Sequence, residues 1–332
     1  MRAAFAIPGS IDSPTGGYGY ARRLMAESPA HGIDLHHLPL PDGFPLASAE
    51  ALRLAAEALD GAEGPILLDG LAGGALPAGA IQAASGPVVM LCHHPLARET
   101  GLEPDQAARL AESERAALAA SAHVIATSAT TAADLTAVYG VPAAKITIAR
   151  PGTDPAPLAA GSAGEALALL AVGSVTPRKG HDRLIEALSG LVSLPWTLTI
   201  VGDRRDPETA AGLAHQIANA GLQDRVILAG ALDEAALSTA YHQTDVFLLA
   251  SHYEGFGMVY REAMARGLPV LATHCVAAEE ATQGGAWLVA PEELANAIET
   301  ILTDSTARRA WAKRASQKAA AFGRWSDTAR IV

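Results

Sequence analysis

Short, continuously apolar segments alternate with amphipathic segments along the whole chain of 332 residues. Apolar residues fill these segments without the polar alternation of a half-exposed strand, as in PILLD at 65–69 and VFLLA at 246–250. Strands that are apolar on both faces are typical of parallel sheets, because the crossover helices cover both faces of the sheet. The alternation therefore predicts an α/β protein.

The predicted elements fall into two series separated by a stretch rich in proline and glycine at 151–164, which predicts a linker. The first series has strands at 2–8, 34–39, 65–69, 87–93, 123–128 and 145–149, and helices at 17–31, 48–61, 104–121 and 129–139. The second series has strands at 166–173, 197–202, 226–229, 246–250 and 269–272, and helices at 181–191, 207–220, 233–242, 258–266, 291–303 and 305–321. We therefore predict two doubly wound α/β domains joined near residue 160.

Composition excludes several classes of protein. Lys and Arg number 24 against 35 Asp and Glu, a formal charge of −11, which argues against a broad basic surface for nucleic acid or anionic lipid. Cys92 and Cys275 are too few for a disulfide framework or a structural zinc site. No apolar run reaches the roughly 18 residues of a membrane span, and Pro8 interrupts the first run before it could serve as a signal-peptide core. We expect a cytoplasmic protein.

Two adjacent cations, Arg178 and Lys179, follow the first strand of the second series in GSVTPRKGH at 173–181. Doubly wound sheets bind their ligands at the carboxyl ends of the strands, where helix N-termini present free N–H groups. Cations at such a place favour phosphate. A solvated pair of loop charges is the alternative interpretation, and the position at the end of a strand favours the phosphate site.

The segment EGFGMVYRE at 254–262 connects strand 246–250 to helix 258–266. Its two carboxylates, eight residues apart, can accept hydrogen bonds from hydroxyl groups, and the backbone amides between them point into the same space. A polyhydroxylated ligand with a diphosphate would satisfy all of these groups. The spacing alone equally fits an exposed helical acid and an acid near a helix N-terminus.

Two histidines, His93 and His94, end strand 87–93. An imidazole there serves as a metal ligand, as a hydrogen-bonding acid or base, or as a structural group. No acidic or cysteine partner lies at metal-ligand spacing, so we predict no metal site.

A glycine-rich segment, PTGGYGYARR at 14–23, partly matches the dinucleotide-binding fingerprint. The match lacks the last glycine of that fingerprint, because Arg22 stands there, and the glycines do not follow strand 2–8 directly. A loop in which a ligand approaches the backbone of Gly16 and Gly17 explains the glycines as well.

These motifs, in this order, resemble the family-four retaining glycosyltransferases, which have the GT-B fold. The resemblance covers nearly the whole chain and is most specific where LAVGSVTPRKGHDRLIEAL is followed by the E-x7-E block EGFGMVYREAMARGLPV. The segments IPGSIDSPTGGYGYARRL and LCHHPLARETGL of the first half also look like family segments. One segment departs from the family: ATHCVAAEEATQGG stands where many relatives have a glycine-rich turn followed by a single glutamate.

The resemblance implies roles for the second domain. Arg178 and Lys179 would hold the donor diphosphate and neutralise the leaving group. Glu262 would bind the nucleotide ribose. The donor sugar would be held by Glu254 with the amides of Phe256, Gly257 and Met258, and the base would stack near Gly230 and Leu232.

For the first domain, the resemblance implies that Gly16 and Gly17 lie against the donor phosphates or the acceptor. His93 would face the reacting sugar, with His94 as the alternative because the doubled histidine leaves the register open. The closing helix, 319–332, would cross back onto the first domain. The resemblance thus implies two Rossmann-like domains facing a cleft, one of residues 1–160 with this helix and one of residues 161–318.

The implied reaction moves a hexose from a nucleotide-sugar donor, UDP- or GDP-linked, to an acceptor hydroxyl. The departing phosphate would help deprotonate the acceptor, so neither a metal, a cofactor nor a protein nucleophile is expected. The acceptor would be a small molecule, a glycan or a lipid-linked sugar, and a soluble one is favoured because residues 48–61 are acidic on balance. Neither a nucleic-acid partner nor a transmembrane segment is expected, and peripheral membrane contact is left open.

Three other functions remain as alternatives. A sugar-nucleotide epimerase or a phosphorylase would keep the fold, but the sequence shows neither the acid/base carboxylates of the first nor the cofactor lysine of the second. An NAD(P)-dependent oxidoreductase rests on the imperfect glycine run alone. A carbohydrate-binding protein without turnover is the third.

Overall fold

The computed structural model describes residues 1–99 and 101–332 and divides them into two units. The first unit comprises Met1–Gly152 and Gly323–Val332, and the second comprises Thr153–Phe322. Thr100, within LCHHPLARETGL, lies outside the described residues. The domain limits at 160 and 318 remain predictions.

A six-stranded parallel sheet forms the centre of the first unit, in the order β2-β1-β3-β4-β5-β6. Its strands are β1 Arg2–Pro8, β2 Asp34–Leu40, β3 Ile66–Asp69, β4 Val88–Cys92, β5 His123–Ala126 and β6 Ile146–Ile148. Its helices include α1 Gly16–Glu27, α2 Ala49–Asp60, α3 Gly70–Gly73, α4 Ala78–Gln82, α5 Pro104–Ala120 and α6 Ala129–Ala137. The order reverses between β1 and β3, and this switch point is where such sheets bind ligands.

The second unit is built on another six-stranded parallel sheet, in the order β12-β11-β10-β7-β8-β9. Its strands are β7 Leu167–Val172, β8 Trp196–Val201, β9 Val226–Gly230, β10 Val246–Leu249, β11 Val270–Thr273 and β12 Trp287–Val289. Its helices are α7 His181–Ser189, α8 Pro207–Asn219, α9 Glu234–His242, α10 Met258–Ala265, α11 Val276–Thr282, α12 Leu294–Thr303 and α13 Ser305–Ala319. This is the Rossmann strand order, with the switch point between β7 and β10.

Continuous apolar sequence coincides with burial on both faces of these sheets. All four residues of β3, of β10 and of β11 are buried. In the second unit, separate apolar clusters cover the two faces: Leu169 and Leu248 belong to one, and Leu170 and Phe247 to the other. The predicted α/β class with doubly wound, Rossmann-like sheets is therefore confirmed.

The C-terminal segment belongs to the first unit. No single helix spans 319–332, all of which the structure describes: α13 ends at Ala319, and a final helix, α14 Trp325–Ile331, follows. The Trp325 ring meets the Tyr20 ring edge-on at 5.3 Å, and the Thr328 hydroxyl donates a 2.7 Å hydrogen bond to the Arg150 carbonyl. A Cβ on Gly152 would lie 2.2 Å from the Trp325 nitrogen, so a glycine is required for this close approach.

Elements with weak sequence signals differ most from prediction. Helices α3, α4 and α11 and strand β12 were not predicted, since each is at most seven residues long. The helix predicted at 17–31 ends at Glu27, and a 3-10 turn follows at Ser28–His31. Pro29 has no backbone N–H to continue the α-helical hydrogen bonds. The predicted helix at 291–303 likewise opens with a 3-10 turn, at Pro291–Glu293.

Among the residues that the structure describes, no helix combines the length and the apolarity needed to cross a membrane.

A carboxyl group is buried in the core of the first unit. Glu114, on α5, is 2% exposed and accepts a 2.9 Å hydrogen bond from the backbone nitrogen of Leu96. Burial raises the pKa of Glu114 to about 7, although this bond and one to Tyr139 oppose the shift. The folded protein therefore favours the neutral acid, because a charge there is removed from water.

We expect this carboxyl to make stability fall as the pH rises. The folded-state pKa is raised above the unfolded value of 4.5, so stability is fully present below that value and is lost as the pH rises through about 7. Glu114→Gln should reduce the loss of unfolding free energy between acid and neutral pH by up to about 3 kcal/mol. Denaturant unfolding of the first unit from acid to neutral pH measures it. Glu112→Gln, at an exposed position of α5, is the control, and equal pH slopes for Glu114→Gln and the parent would contradict the assignment.

Candidate active site

The loop that carries Arg178 and Lys179 lies at the switch point of the second sheet. It leaves β7, turns through a 3-10 segment at Pro177–Lys179 and enters α7. Gly180 has φ +61°, and a Cβ there would lie 2.0 Å from the carbonyl oxygen of Ala250. Only glycine permits this contact, because it has no Cβ. The loop therefore packs directly against the backbone at the end of β10.

His181 holds the other end of the same loop. The residue is 2% exposed, and its Nε2 lies 3.2 Å from the Gly173 carbonyl oxygen. Burial lowers the pKa of His181 to about 4, so the imidazole is neutral at physiological pH and its Nε2–H donates to that carbonyl. His181 is a structural group of the cation loop.

Glu254 joins the two cations in a buried cluster. The Lys179 Nζ lies 2.7 Å from Oε1 of Glu254, and an Arg178 guanidinium nitrogen lies 3.4 Å from Oε2. Ser251 donates a 2.7 Å hydrogen bond to the same Oε1, and Arg178 also donates to the Tyr253 carbonyl at 3.1 Å. The side chains of Lys179 and Arg178 are 12% and 15% exposed, and that of Glu254 is 5% exposed.

The cluster keeps all three charges. Burial raises the pKa of Glu254, but the charges of Lys179 and Arg178 outweigh that effect and the net pKa lies below the usual value. Two cations and one carboxylate leave one net positive charge in a place with little water. Such a charge attracts an anion more strongly than a solvated one does. The site is suited to a phosphate or diphosphate.

The backbone between the two glutamates begins α10. Gly257 is the N-cap with φ +91°, and a Cβ there would overlap the Tyr260 ring at 2.5 Å. The first N–H groups of the eight-residue helix have no intrahelical partner, as at any helix N-terminus. Phe256 is 4% exposed, and the Arg261 guanidinium lies 4.7 Å from the centroid of its ring. Because its side chain is buried, Phe256 can contact a ligand only through its backbone. Met258 has a backbone N–H at the start of the helix.

Glu262 lies further along α10 and has partners of its own. The Tyr241 hydroxyl donates a 3.0 Å hydrogen bond to Oε2, and the Arg266 guanidinium lies over the Tyr241 ring, 4.5 Å from its centroid. Burial raises the pKa of the Glu262 carboxyl above its ordinary value. The hydrogen bond from Tyr241 fixes the orientation of the Glu262 carboxylate. Its other oxygen, Oε1, is therefore held in a defined position from which it can accept a hydrogen bond.

Gly230 and Leu232 lie at the end of β9. Gly230 accepts a backbone hydrogen bond from Gly202 at 2.9 Å, and a Cβ on Gly202 would lie 1.9 Å from the Gly173 carbonyl oxygen. The ends of β7, β8 and β9 are thus in backbone contact. Leu232 packs against the apolar cluster that contains Tyr241, the partner of Glu262.

The glycines and His93 come together in the first unit. Gly17 lies in the first turn of α1, and a Cβ there would be 3.5 Å from Cδ2 and Nε2 of His93. His93 Nε2 lies 3.6 Å from Oδ2 of Asp69, which is 4% exposed. His94 instead pairs with Glu99, at 3.4 Å. Of the two histidines, His93 is the one packed against the glycine-rich loop, whose Gly16 begins α1.

Three partners of these side chains were missed at the level of sequence. Ser251 and Tyr241 orient the two glutamates, and Asp69 lies beside His93. Ser251 could have been found as a hydroxyl three residues before Glu254 at a strand end. Asp69 ends β3 and caps α3, and Tyr241 lies on α9. Neither residue stands at a spacing from its partner, His93 or Glu262, that forms a recognisable sequence motif.

Two family models match the chain in succession. Residues 159–318 match the model described as glycosyl transferases group 1, and residues 31–157 match glycosyltransferase family 4. The chain therefore belongs to the family-four glycosyltransferases, as its motifs indicated.

One curated relative is the D-inositol 3-phosphate glycosyltransferase of Kineococcus radiotolerans, 31% identical over 231 residues. That match covers 60% of this chain and 53% of the relative, so the chain matches little more than half of that relative's length.

Solved structures match over nearly the whole chain. Sucrose-phosphate synthase of Thermosynechococcus elongatus superposes with a TM-score of 0.82 at 22% identity, covering 99% of this chain and 96% of that one. Anabaena HepE, solved with UDP and glucose, superposes with a TM-score of 0.78 at 20% identity, covering 99% and 97%. At these identities the likeness shows the fold, which is GT-B.

Proposed function

We propose that the chain is a retaining hexosyltransferase that uses a nucleotide-sugar donor without a metal ion. The observation that carries the proposal is the buried cluster of Arg178, Lys179 and Glu254 at the switch point of the second sheet. We assign donor binding to the second unit. We assign acceptor binding to the first unit, where His93 and Asp69 lie beside the glycine-rich start of α1.

The chemistry follows from the charges of the cluster. In the transfer, the bond between the anomeric carbon and the diphosphate oxygen breaks, and the acceptor oxygen bonds to the same face of that carbon. The acceptor proton goes to the departing diphosphate oxygen. Arg178 and Lys179 are fixed beside the growing negative charge, which is the most effective kind of electrostatic stabilisation. They supply the positive charge that a divalent ion supplies in metal-dependent transfer.

The state of Glu254 supports transfer without a covalent intermediate. A carboxylate nucleophile has to present an oxygen to the anomeric carbon. Oε1 of Glu254 is already engaged by Lys179 and Ser251, and Oε2 by Arg178. Glu254 is better suited to orienting the cations and accepting a sugar hydroxyl than to attacking carbon.

We propose a UDP-hexose as the first donor to test and a GDP-hexose as the second. Solved structures of Anabaena HepE contain UDP or UDP-glucose. Glu262 is the proposed ligand of the ribose hydroxyls, since Tyr241 holds its carboxylate in place. We place the activity in the cytoplasm, where the free thiols of Cys92 and Cys275 would stay reduced.

Thermal stability with a panel of nucleotide sugars tests the donor. We expect a UDP- or GDP-hexose to raise the unfolding temperature, with or without EDTA, because a ligand of the folded state stabilises it by mass action. Glu262→Ala should abolish the shift, and Glu292→Ala, at an exposed position, should keep it.

Incubation with the stabilising donor and an acceptor panel then tests the reaction. NMR of the product should show the anomeric configuration of the donor. Inverted product or loss of activity in EDTA would contradict the mechanism. Hydrolysis or isomerisation without acceptor would favour a phosphorylase or an epimerase, and a fluorescence response of NAD(P)H would favour an oxidoreductase.

A further inference from the structure

An open pocket of about 450 Å³ lies on the second unit, where α11, β12 and α13 meet. Its lining differs from that of the cation cluster. Two tryptophans and three polar side chains are the groups in it that could recognise a ligand: Trp287, Trp311, His274, Glu279 and Gln283. We refer to these five residues as the tryptophan pocket.

The aromatic groups of the tryptophan pocket are held rigidly. The Trp287 and Trp311 rings are stacked, with planes 8° apart and centroids 5.8 Å apart. The Arg314 guanidinium lies over Trp311, 5.2 Å from the ring centroid, and donates a hydrogen bond to the Gly284 carbonyl. Both indoles are only half-buried, so part of their apolar area faces the pocket. Large aromatic groups that are already ordered lose little conformational entropy on binding.

Polar groups with spare hydrogen-bonding capacity surround these rings. His274 Nε2 lies 3.3 Å from Oε2 of Glu279, and these side chains are 52% and 69% exposed. Gln283, at the end of α11, is exposed and brings an amide that both donates and accepts. An apolar platform with a few donors and acceptors at its edge matches a pyranose, which has apolar C–H faces and a rim of hydroxyl groups.

The charge of the pocket rim favours a sugar over an anionic membrane as the ligand. Arg309, Lys313 and Lys318 make α13 basic, a feature that would suit an anionic surface. However, Glu279 places a largely exposed carboxylate in the pocket itself, and this carboxylate would repel lipid phosphates. The stacked and half-buried tryptophans are also not free to insert between lipids.

We propose that the tryptophan pocket is an accessory binding site for a neutral saccharide, in which the exposed apolar part of the indole pair contacts one pyranose ring and the polar rim holds its hydroxyls. The inference goes beyond the transfer reaction, because it does not require turnover or a nucleotide. A site of this kind would keep a glycan on the surface of the second unit.

Fluorine NMR of protein labelled with 5-fluorotryptophan tests the proposal directly. The chain has four tryptophans, Trp196, Trp287, Trp311 and Trp325, each of which gives one resonance that a Trp→Phe variant assigns. The probes are maltohexaose, cellohexaose and mannohexaose, added without nucleotide. We expect at least one of them to shift the Trp287 and Trp311 resonances saturably, with a Kd of about millimolar, and to leave the buried Trp196 unchanged.

Variants of the rim supply the second readout. Glu279→Ala and Gln283→Ala, both at exposed positions, should each weaken binding by roughly tenfold without changing the unfolding temperature. Glu292→Ala, outside the pocket, should bind normally. Lys179→Ala should also bind normally, so failure of the transfer reaction and failure of this site can be told apart.

Three results would overturn the proposal. One is the absence of a saturable shift with all three hexasaccharides. Another is an equal shift of Trp325, which lies in the first unit. The last is a response of Trp287 and Trp311 to phosphatidylglycerol vesicles but to none of the sugars, which would make the pocket a membrane contact.

Discussion

Lys179→Ala is expected to lower kcat for sugar transfer by about 10²–10³-fold, the effect typical of removing one fixed group that stabilises charge in the transition state. The Lys179 side chain is 12% exposed, and its ammonium group is positioned by a 2.7 Å contact with Glu254. Water cannot easily replace a charge in such a place, since a solvent molecule would have to reorganise as the leaving group forms. Arg178 remains in the variant, so some catalysis should survive.

The measurement is steady-state transfer with the donor identified by thermal stability. Lys313→Ala, which removes an exposed lysine of α13, is the matched control and should transfer at the parental rate. Circular dichroism should show that Lys179→Ala is folded. If the folded variant transferred sugar as fast as the parent, the cluster would not be the leaving-group site.

Gly180→Ala should destabilise the second unit by roughly 2–4 kcal/mol and disorder the cation loop. The residue has φ +61°, which costs an alanine about 1 kcal/mol, and its Cβ would approach the Ala250 carbonyl oxygen to 2.0 Å. Backbone atoms lie on both sides of this contact, so no side-chain rotation relieves it. The loop must lift from β10, and Arg178 and Lys179 lift with it.

Gly212→Ala is the counterpart on the same unit. Gly212 lies inside α8 with nothing within 4 Å of its Cβ position, so alanine there should stabilise the helix by up to about 1 kcal/mol. Denaturant unfolding combined with hydrogen exchange of the second sheet compares the two variants. Equal stability of Gly180→Ala and Gly212→Ala would contradict the backbone contact.

The two sheets could be predicted because parallel strands covered by helices are apolar on both faces. Segments such as 65–69 and 246–250 carry that signal within a single strand, and the structure places strands there within one residue at each end. Strand β12 and helix α11 carry no such signal. They have three and seven residues and depend on neighbours already in place.

The cations and Glu254 could be inferred from position, because the ends of β7 and β10 meet at a switch point in this strand order. Their mutual contact could not, since 75 residues separate Lys179 from Glu254. The sequence leaves His93 and His94 as alternatives, and packing gives them different surroundings. A Cβ on Gly17 would lie 3.5 Å from the His93 ring, whereas His94 pairs with Glu99. Pairing of this kind depends on tertiary structure, which local sequence does not encode.

Glu254 is an internal counter-ion of the cation loop, because its carboxylate contacts both Lys179 and Arg178 and aligns them. Under the proposed function, an incoming diphosphate would have to share the two cations with this carboxylate. The hold on the donor and on the spent nucleotide would then be weakened alike. Release of the nucleotide would therefore depend on the same two side chains that are proposed to stabilise the leaving group.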